Sequence, residues 1–310
     1  MTKRFIAFSR GAILPGVVGG VLILATLLLT QRVNLTGSSQ VNASTIESSK
    51  RVDPAQVKAL RDGVAQLPME PTPGFGLRRE LTYEQWVTLL KNEAAAIAQK
   101  HPDSLHILAG DSLSLWFPSE LLPSGGTWLN QGISGETSYG LLRRVKLFDR
   151  NQPQTIFVMI GINDLIRGVR DETLLANQRE IIRHLKTNHP KATIVVQSIL
   201  PHGGDRASRR YWASVKGDPA VGQNPHPLWV KRLPIISNRH IRKLNQRLST
   251  IAKEEKVQFL DLHHLFADEQ GYLHDSLTTD GLHLSYEGYA LWRSQLERFL
   301  PQPSQATVSH

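Results

Sequence analysis

The sequence predicts an α/β fold in which a parallel five-stranded sheet is covered by helices on both faces. Three observations lead there. Short apolar runs occur at residues 105–109, 155–160, 193–199 and 257–260, with a weaker one at 127–130. None alternates apolar with polar, which is how strands buried on both faces read. Segments of helical period separate these runs, and such alternation predicts parallel strands joined by crossover helices.

Along the chain, residues 11–30 come first, GAILPGVVGGVLILATLLLT, without a charge. As a helix they would extend about 30 Å, the thickness of a bilayer's hydrocarbon core. Lys3, Arg4 and Arg10 precede the run, which favours a cytoplasmic N-terminus. A single-pass anchor with the rest of the chain extracytoplasmic is the expectation. The rival is a signal peptide whose cleavage releases a secreted protein, although no A-x-A-like site follows closely. Residues 31–80 read as a tether rich in Ser, Asn, Thr and Gln, with a short helical stretch ended by Pro68, Pro71 and Pro73. The predicted plan is a cytoplasmic N-terminus at 1–10, an anchor at 11–30, a tether at 31–80, a catalytic domain at 81–300 and a tail at 301–310.

Within that domain, Thr82 and Gln85 form a possible capping box ahead of Trp86, Leu89, Leu90, Ala94 and Ile97 at helical spacing. Further helices are predicted from near Thr137, over 171–188, along Ile241, Leu244, Leu248 and Ile251, and from near Ser285 to Leu300 before Pro301. The connection at 201–237 is long for a compact domain, and such loops are often functional. From His202 to Lys243 the chain carries nine Lys or Arg against two Asp, interleaved with Tyr211, Trp212 and Trp229. Those three aromatics are candidate substrate-binding residues on a lid; a solvated insertion is the plain alternative.

Composition bounds the chemistry. Of 310 residues none is Cys, which excludes disulfides, thiolate metal sites and a cysteine nucleophile. The formal charge of +9 favours anionic surfaces. No nucleic-acid-binding signature accompanies it, so nucleic acid is not an expected partner.

Ligands of open parallel sheets bind at the carboxyl ends of the strands, so the loops there carry the search. The first predicted strand ends in Gly110-Asp111-Ser112-Leu113. A serine there needs an oriented base to become a nucleophile. Near the other end, Thr279-Asp280-Gly281-Leu282-His283 offers a carboxylate and an imidazole three residues apart, able to fix a tautomer and stabilise an imidazolium. The Ser112 and Gly135 backbone N–H groups and the Asn163 amide are candidate oxyanion donors. His263, His264 and His274 compete with His283 as base, but none sits in a Thr-Asp-Gly turn. Asp111 and Asp164 are expected to order the neighbouring loops by hydrogen bonding.

These blocks resemble the GDSL or SGNH hydrolase family. Gly110 to Leu113 match its first block, NQGISGETS from Asn130 its second with the oxyanion glycine on Gly135, Gly161-Ile-Asn163-Asp164 its third, and Asp280 to His283 its last. The resemblance implies a flavodoxin-like three-layer α/β/α sandwich and a cofactor- and metal-free serine esterase or lipase. It would cleave acyl or acetyl esters of lipid or polysaccharide through an acyl-enzyme, with Ser112, Asp280 and His283 as triad. Two alternatives stay open: a polysaccharide O-acyltransferase using the same triad, and a non-catalytic carbohydrate- or lipid-binding module.

Overall fold

A computed structural model describes residues 81–214 and 227–300. The run at 11–30, the tether at 31–80 and the tail at 301–310 lie outside the described residues. Among those described, no helix is long and apolar enough to cross a membrane.

The first helix, α1 (Tyr83–Lys100), opens on the predicted capping box. The Thr82 hydroxyl accepts from the Gln85 N–H, and the Gln85 side chain accepts from the Thr82 N–H at 2.8 Å. Two donors that a helix start leaves unpaired are thereby satisfied. Trp86, Leu90 and Ala94 form its buried stripe.

Five strands follow: β1 (Leu105–Gly110), β2 (Thr127–Gly132), β3 (Thr155–Met159), β4 (Thr193–Gln197) and β5 (Gln258–Leu260). All pair in parallel, in the order β2-β1-β3-β4-β5. That order is the flavodoxin-like one, whose switch point lies between β1 and β3. Side chains alternate between the faces. Leu108, Phe157 and Val195 point into a core shared with Tyr289, Leu291, Trp292 and Leu296 of the last helix, α10 (Tyr286–Leu296). Ile107, Ala109, Ile156, Val158 and Ile194 point the other way, onto Ala94 of α1, Leu141 of α3 (Ser138–Arg144) and Ile181 and Leu185 of α5 (Asp171–Asn188). Val196 continues that second face towards Ile241, Leu244 and Leu248 of α8 (Asn238–Glu254). Apolar side chains on both faces explain why the central strands β1, β3 and β4 read as unbroken runs.

Three short helices sit at the carboxyl edge: α2 (Ser112–Leu115) after β1, α4 (Ile162–Ile166) after β3 and α9 (His263–Phe266) after β5. The long connection is not wholly irregular. It contains α6 (Asp205–Ser214) and α7 (Leu228–Arg232). Only Ala207 and Ser208 of the first half of α6 are buried, among Arg206, Arg209 and Arg210. A face of one methyl and one hydroxyl leaves no apolar stripe for sequence reasoning to find.

Candidate active site

The site is assembled at the carboxyl edge of β1 and β3. Asp111 caps α2, its Oδ1 accepting from the Leu113 N–H at 3.0 Å. Ser112 therefore occupies the first helical position directly beyond β1. The Tyr289 hydroxyl of α10 donates to the Leu113 carbonyl at 3.1 Å, tying this turn to the opposite helix.

The turn carrying Asp280 and His283 is built by its own side chains. Asp280 Oδ1 accepts from the N–H groups of Leu282 and His283 at 2.9 and 2.7 Å. Thr278 Oγ1 accepts from the Gly281 N–H at 2.8 Å and donates to the His283 carbonyl at 2.6 Å. Gly281 has φ +87°, and a Cβ there would come within 2.3 Å of the Ala207 Cβ. The Gly203 N–H also donates to the Gly281 carbonyl at 2.7 Å. The start of α6 is thus seated on this turn.

The predicted trio converges. Ser112 Oγ lies 3.2 Å from His283 Nε2, and His283 Nδ1 lies 2.7 Å from Asp280 Oδ2. Ser112 is 5% exposed. Burial pushes the Asp280 carboxyl up, but the hydrogen bond and charge of His283 and the two backbone N–H groups outweigh it, leaving the carboxyl below its ordinary range. It is held as a carboxylate against the imidazole. The competing histidines lie elsewhere. His263 is buried, its pKa lowered to about 4 by desolvation; His264 pairs with Asp261 at 3.5 Å; His274 accepts from the Ser276 N–H at 3.3 Å.

Gly135 follows β2 at φ +74°, a conformation that favours glycine. Its carbonyl accepts from Arg167 at 3.1 Å. Asn163 lies in the first turn of α4, and its amide nitrogen is buried without a protein partner. A buried amide lacking a partner costs free energy, so a donor kept in this state at a strand's carboxyl end suits an incoming oxygen.

Beneath these loops is a polar network that the sequence suggests only in part. Asp164 accepts from the Ser138 hydroxyl at 2.6 Å and the Ser138 N–H at 2.8 Å, ordering the start of α3 as expected. Unforeseen was the buried pair Arg144–Glu136, 2.8 Å apart. Arg144 also donates to the Gln131 and Gly110 carbonyls at 2.8 and 3.0 Å, joining the ends of β1 and β2. Glu136 within NQGISGETS was the available signal, but nothing in a single sequence marks a charged residue as buried.

Aromatic rings surround the imidazole. Trp116 lies with its centroid 4.1 Å from that of His283, tilted by 45°. Sequence reasoning missed it, since Trp116 reads as an ordinary core residue. Trp229 of α7 stands edge-on to His283 at 6.5 Å. Tyr211 lies 5.6 Å from Trp229 and 5.6 Å from Trp212. The three predicted aromatics therefore form a row running outward from the imidazole. Leu113, Met159, Ile162, Ile199 and Leu282 line a cavity of about 10 Å³ with Asp111 at its edge, room for one water-sized group. Of its walls, Leu113, Ile162 and Leu282 adjoin Ser112, Asn163 and His283 in the chain, but those three residues themselves do not line it.

Comparison with known proteins agrees with this geometry. Residues 97–291 match the GDSL-like Lipase/Acylhydrolase family. The chain is 25% identical over 185 residues to the isoamyl acetate-hydrolyzing esterase of Saccharomyces cerevisiae, covering 56% of this chain and 70% of that protein. It is 25% identical over 245 residues to the platelet-activating factor acetylhydrolase IB subunit alpha2 of Rattus norvegicus, covering 73% and 91%. A solved structure from Streptococcus pneumonia, provisionally described as a platelet activating factor, superposes with a TM-score of 0.52 at 28% identity, covering 70% of this chain and 99% of that one. With the family matched over more than half of its length, the chain belongs to the GDSL-like lipase/acylhydrolase family and is an ester-hydrolysing enzyme.

Proposed function

We propose that the protein hydrolyses carboxylic esters of short acyl groups through an acyl-enzyme on Ser112. The observation that carries this reading is the continuous hydrogen-bonded row from Ser112 Oγ through His283 to Asp280. With Nδ1–H donated to the Asp280 carboxylate, Nε2 is the lone-pair nitrogen that accepts the serine proton. Ser112 Oγ attacks the ester carbonyl as His283 takes its proton. The oxyanion forms against the Ser112 and Gly135 N–H groups and the Asn163 amide. One such donor contributes about 3 kcal/mol to lowering the barrier. Collapse expels the alcohol, which leaves with the proton from Nε2. Water then repeats the sequence, releasing the acid and restoring Ser112.

The names of two relatives support a short acyl group. Two relatives are named for acetate hydrolysis, an isoamyl acetate-hydrolyzing esterase and an acetylhydrolase subunit. The row Trp229, Tyr211 and Trp212, which starts beside the imidazole, is proposed to receive the alcohol portion. Residues 11–30 are proposed as a membrane anchor that holds this site outside the cytoplasm.

The test is hydrolysis of p-nitrophenyl esters of rising acyl length by the full chain, beside Ser112→Ala. Acetate should be the best substrate, activity should fall steadily with chain length, and Ser112→Ala should be inactive. A preference for long chains overturns the short-acyl assignment; an active Ser112→Ala protein overturns the mechanism. Ester formation from an added alcohol in place of hydrolysis would identify an acyltransferase.

A further inference from the structure

The imidazole of His283 is neutral before the reaction and cationic at its transition state, so any group that prefers the cation over the neutral ring lowers the barrier. Asp280 is one such group. Among the described residues, two indoles also lie against the ring. A cation is attracted by an aromatic face within about 6 Å of its centroid. Trp116 meets that condition at 4.1 Å, whereas Trp229 lies at 6.5 Å and edge-on.

Trp116 is also firmly held. It ends α2, with its N–H donating to the Ser112 carbonyl at 3.0 Å. Its ring, half-buried, packs against two separate cores, one containing Phe117 and Tyr289 and the other Trp86 and Leu90. The helix that presents the serine therefore also presents the indole, and both reach the same imidazole. We propose that Trp116 is a positioning residue that stabilises the His283 imidazolium through its π face while holding the ring in line with Ser112 Oγ. The inference rests on the triad reading above.

Its consequence depends on pH in a way that separates it from simple packing. Above the acid limb of the rate profile, the free enzyme carries neutral imidazole and only the transition state carries the cation. Removing the π face then slows the reaction. Below the acid limb, ground state and transition state both carry the imidazolium, the attraction cancels, and the defect disappears. A Trp that merely shielded the ring from water would act in the opposite sense, because its removal would ease protonation and move the limb to higher pH. Asp280 on the same turn pairs with His283; along the chain, Asp111 precedes Ser112, and Lys231 and Arg232 follow Trp229 on α7. All are retained in the variants below, so they do not distinguish wild type from variant.

The experiment is the pH dependence of kcat/KM for p-nitrophenyl acetate, using the full chain with Trp116→Leu and Trp116→Phe. Leu keeps apolar bulk without a π face; Phe keeps a smaller face. On the alkaline plateau Trp116→Leu should be about tenfold slower, about 1.4 kcal/mol, with the loss in kcat. Its acid limb should lie about one unit lower, so that the two profiles converge at acid pH. Trp116→Phe should fall between them, and it carries the test alone if the Leu variant does not fold. Three results would each overturn the inference: a defect of equal size at every pH, a limb displaced upward, or a change confined to KM. An inactive wild type would instead overturn the hydrolase reading and is distinguished by that control.

Discussion

Two aspartates flank the candidate site, and their surroundings shift their pKa values in opposite directions. Asp280 faces an imidazole and stays ionised. Asp111 is buried with one carboxyl oxygen lacking a partner. Desolvation raises its pKa to about 7, the Leu113 N–H pulling down and the charges of Asp164 and Glu136 pushing up. Below about pH 7 the carboxyl beside Ser112 is thus mostly protonated. The linkage to stability follows from the raised value. The unfolded chain ionises Asp111 near the ordinary aspartate pKa of about 3.9, while the folded chain holds its proton to about 7. The stability associated with the protonated group is complete below about pH 4 and is lost as pH rises to about 7, a loss on the order of a few kcal/mol. Asp111→Asn can keep the Leu113 hydrogen bond and has no proton to lose. Urea midpoints of the two proteins should therefore be close at pH 4 and separate in favour of Asn up to pH 7. A gap that does not change with pH would contradict the buried neutral carboxyl. Sequence reasoning placed Asp111 as a hydrogen-bonding residue from its motif position, but its charge state depends on burial, which a linear sequence does not display.

Elements were legible where local chemistry and packing agree. The capping box of Thr82 and Gln85 fixed the start of α1, and the apolar stripe of 171–188 coincides with α5, because in both the residues that form the helix also bury it. Helix α6 was not legible, since it holds its place through Gly203, Ala207 and the Gly281 turn rather than through an apolar stripe. The same limit hid the strap made by Arg144. Lying 3% exposed beside Glu136 at 5%, it joins the ends of β1 and β2 under the Ser112 loop. Removing one member of a buried ion pair leaves the other charge unpaired and costs about 3–5 kcal/mol, while replacing both with apolar residues is often neutral. Arg144→Met should lower chemical stability by that amount and activity with it. The double replacement Arg144→Met with Glu136→Met should recover much of the stability. Equal losses for the single and double variants would show that the backbone carbonyls of Gly110 and Gln131, not the charge of Glu136, dominate the role of Arg144.

At the scale of the whole molecule, the fold class was readable because the three central strands, buried on both faces, leave an unbroken apolar signature, and because the connections return each reactive loop to one sheet edge. The joining of Ser112 to His283, 171 residues apart in sequence, was readable only through the resemblance of the motif blocks. No local pattern specifies so distant a contact. The proposed anchor belongs to this scale too. A helix of about 20 uncharged residues suits a bilayer, and a charge placed at its centre costs about 2.5–3.5 kcal/mol on insertion scales. The full-length protein should therefore remain in the membrane fraction after alkaline carbonate extraction. Pairing Leu22→Arg with Leu24→Arg should release it or block its export. Protease added from outside the cytoplasm should reach residues 81–300 in the wild type. A soluble wild-type product shortened by about thirty residues, the length of a signal peptide, would replace the anchor with a cleaved leader while leaving the chemistry of the site untouched, because every residue proposed to act there lies beyond that segment.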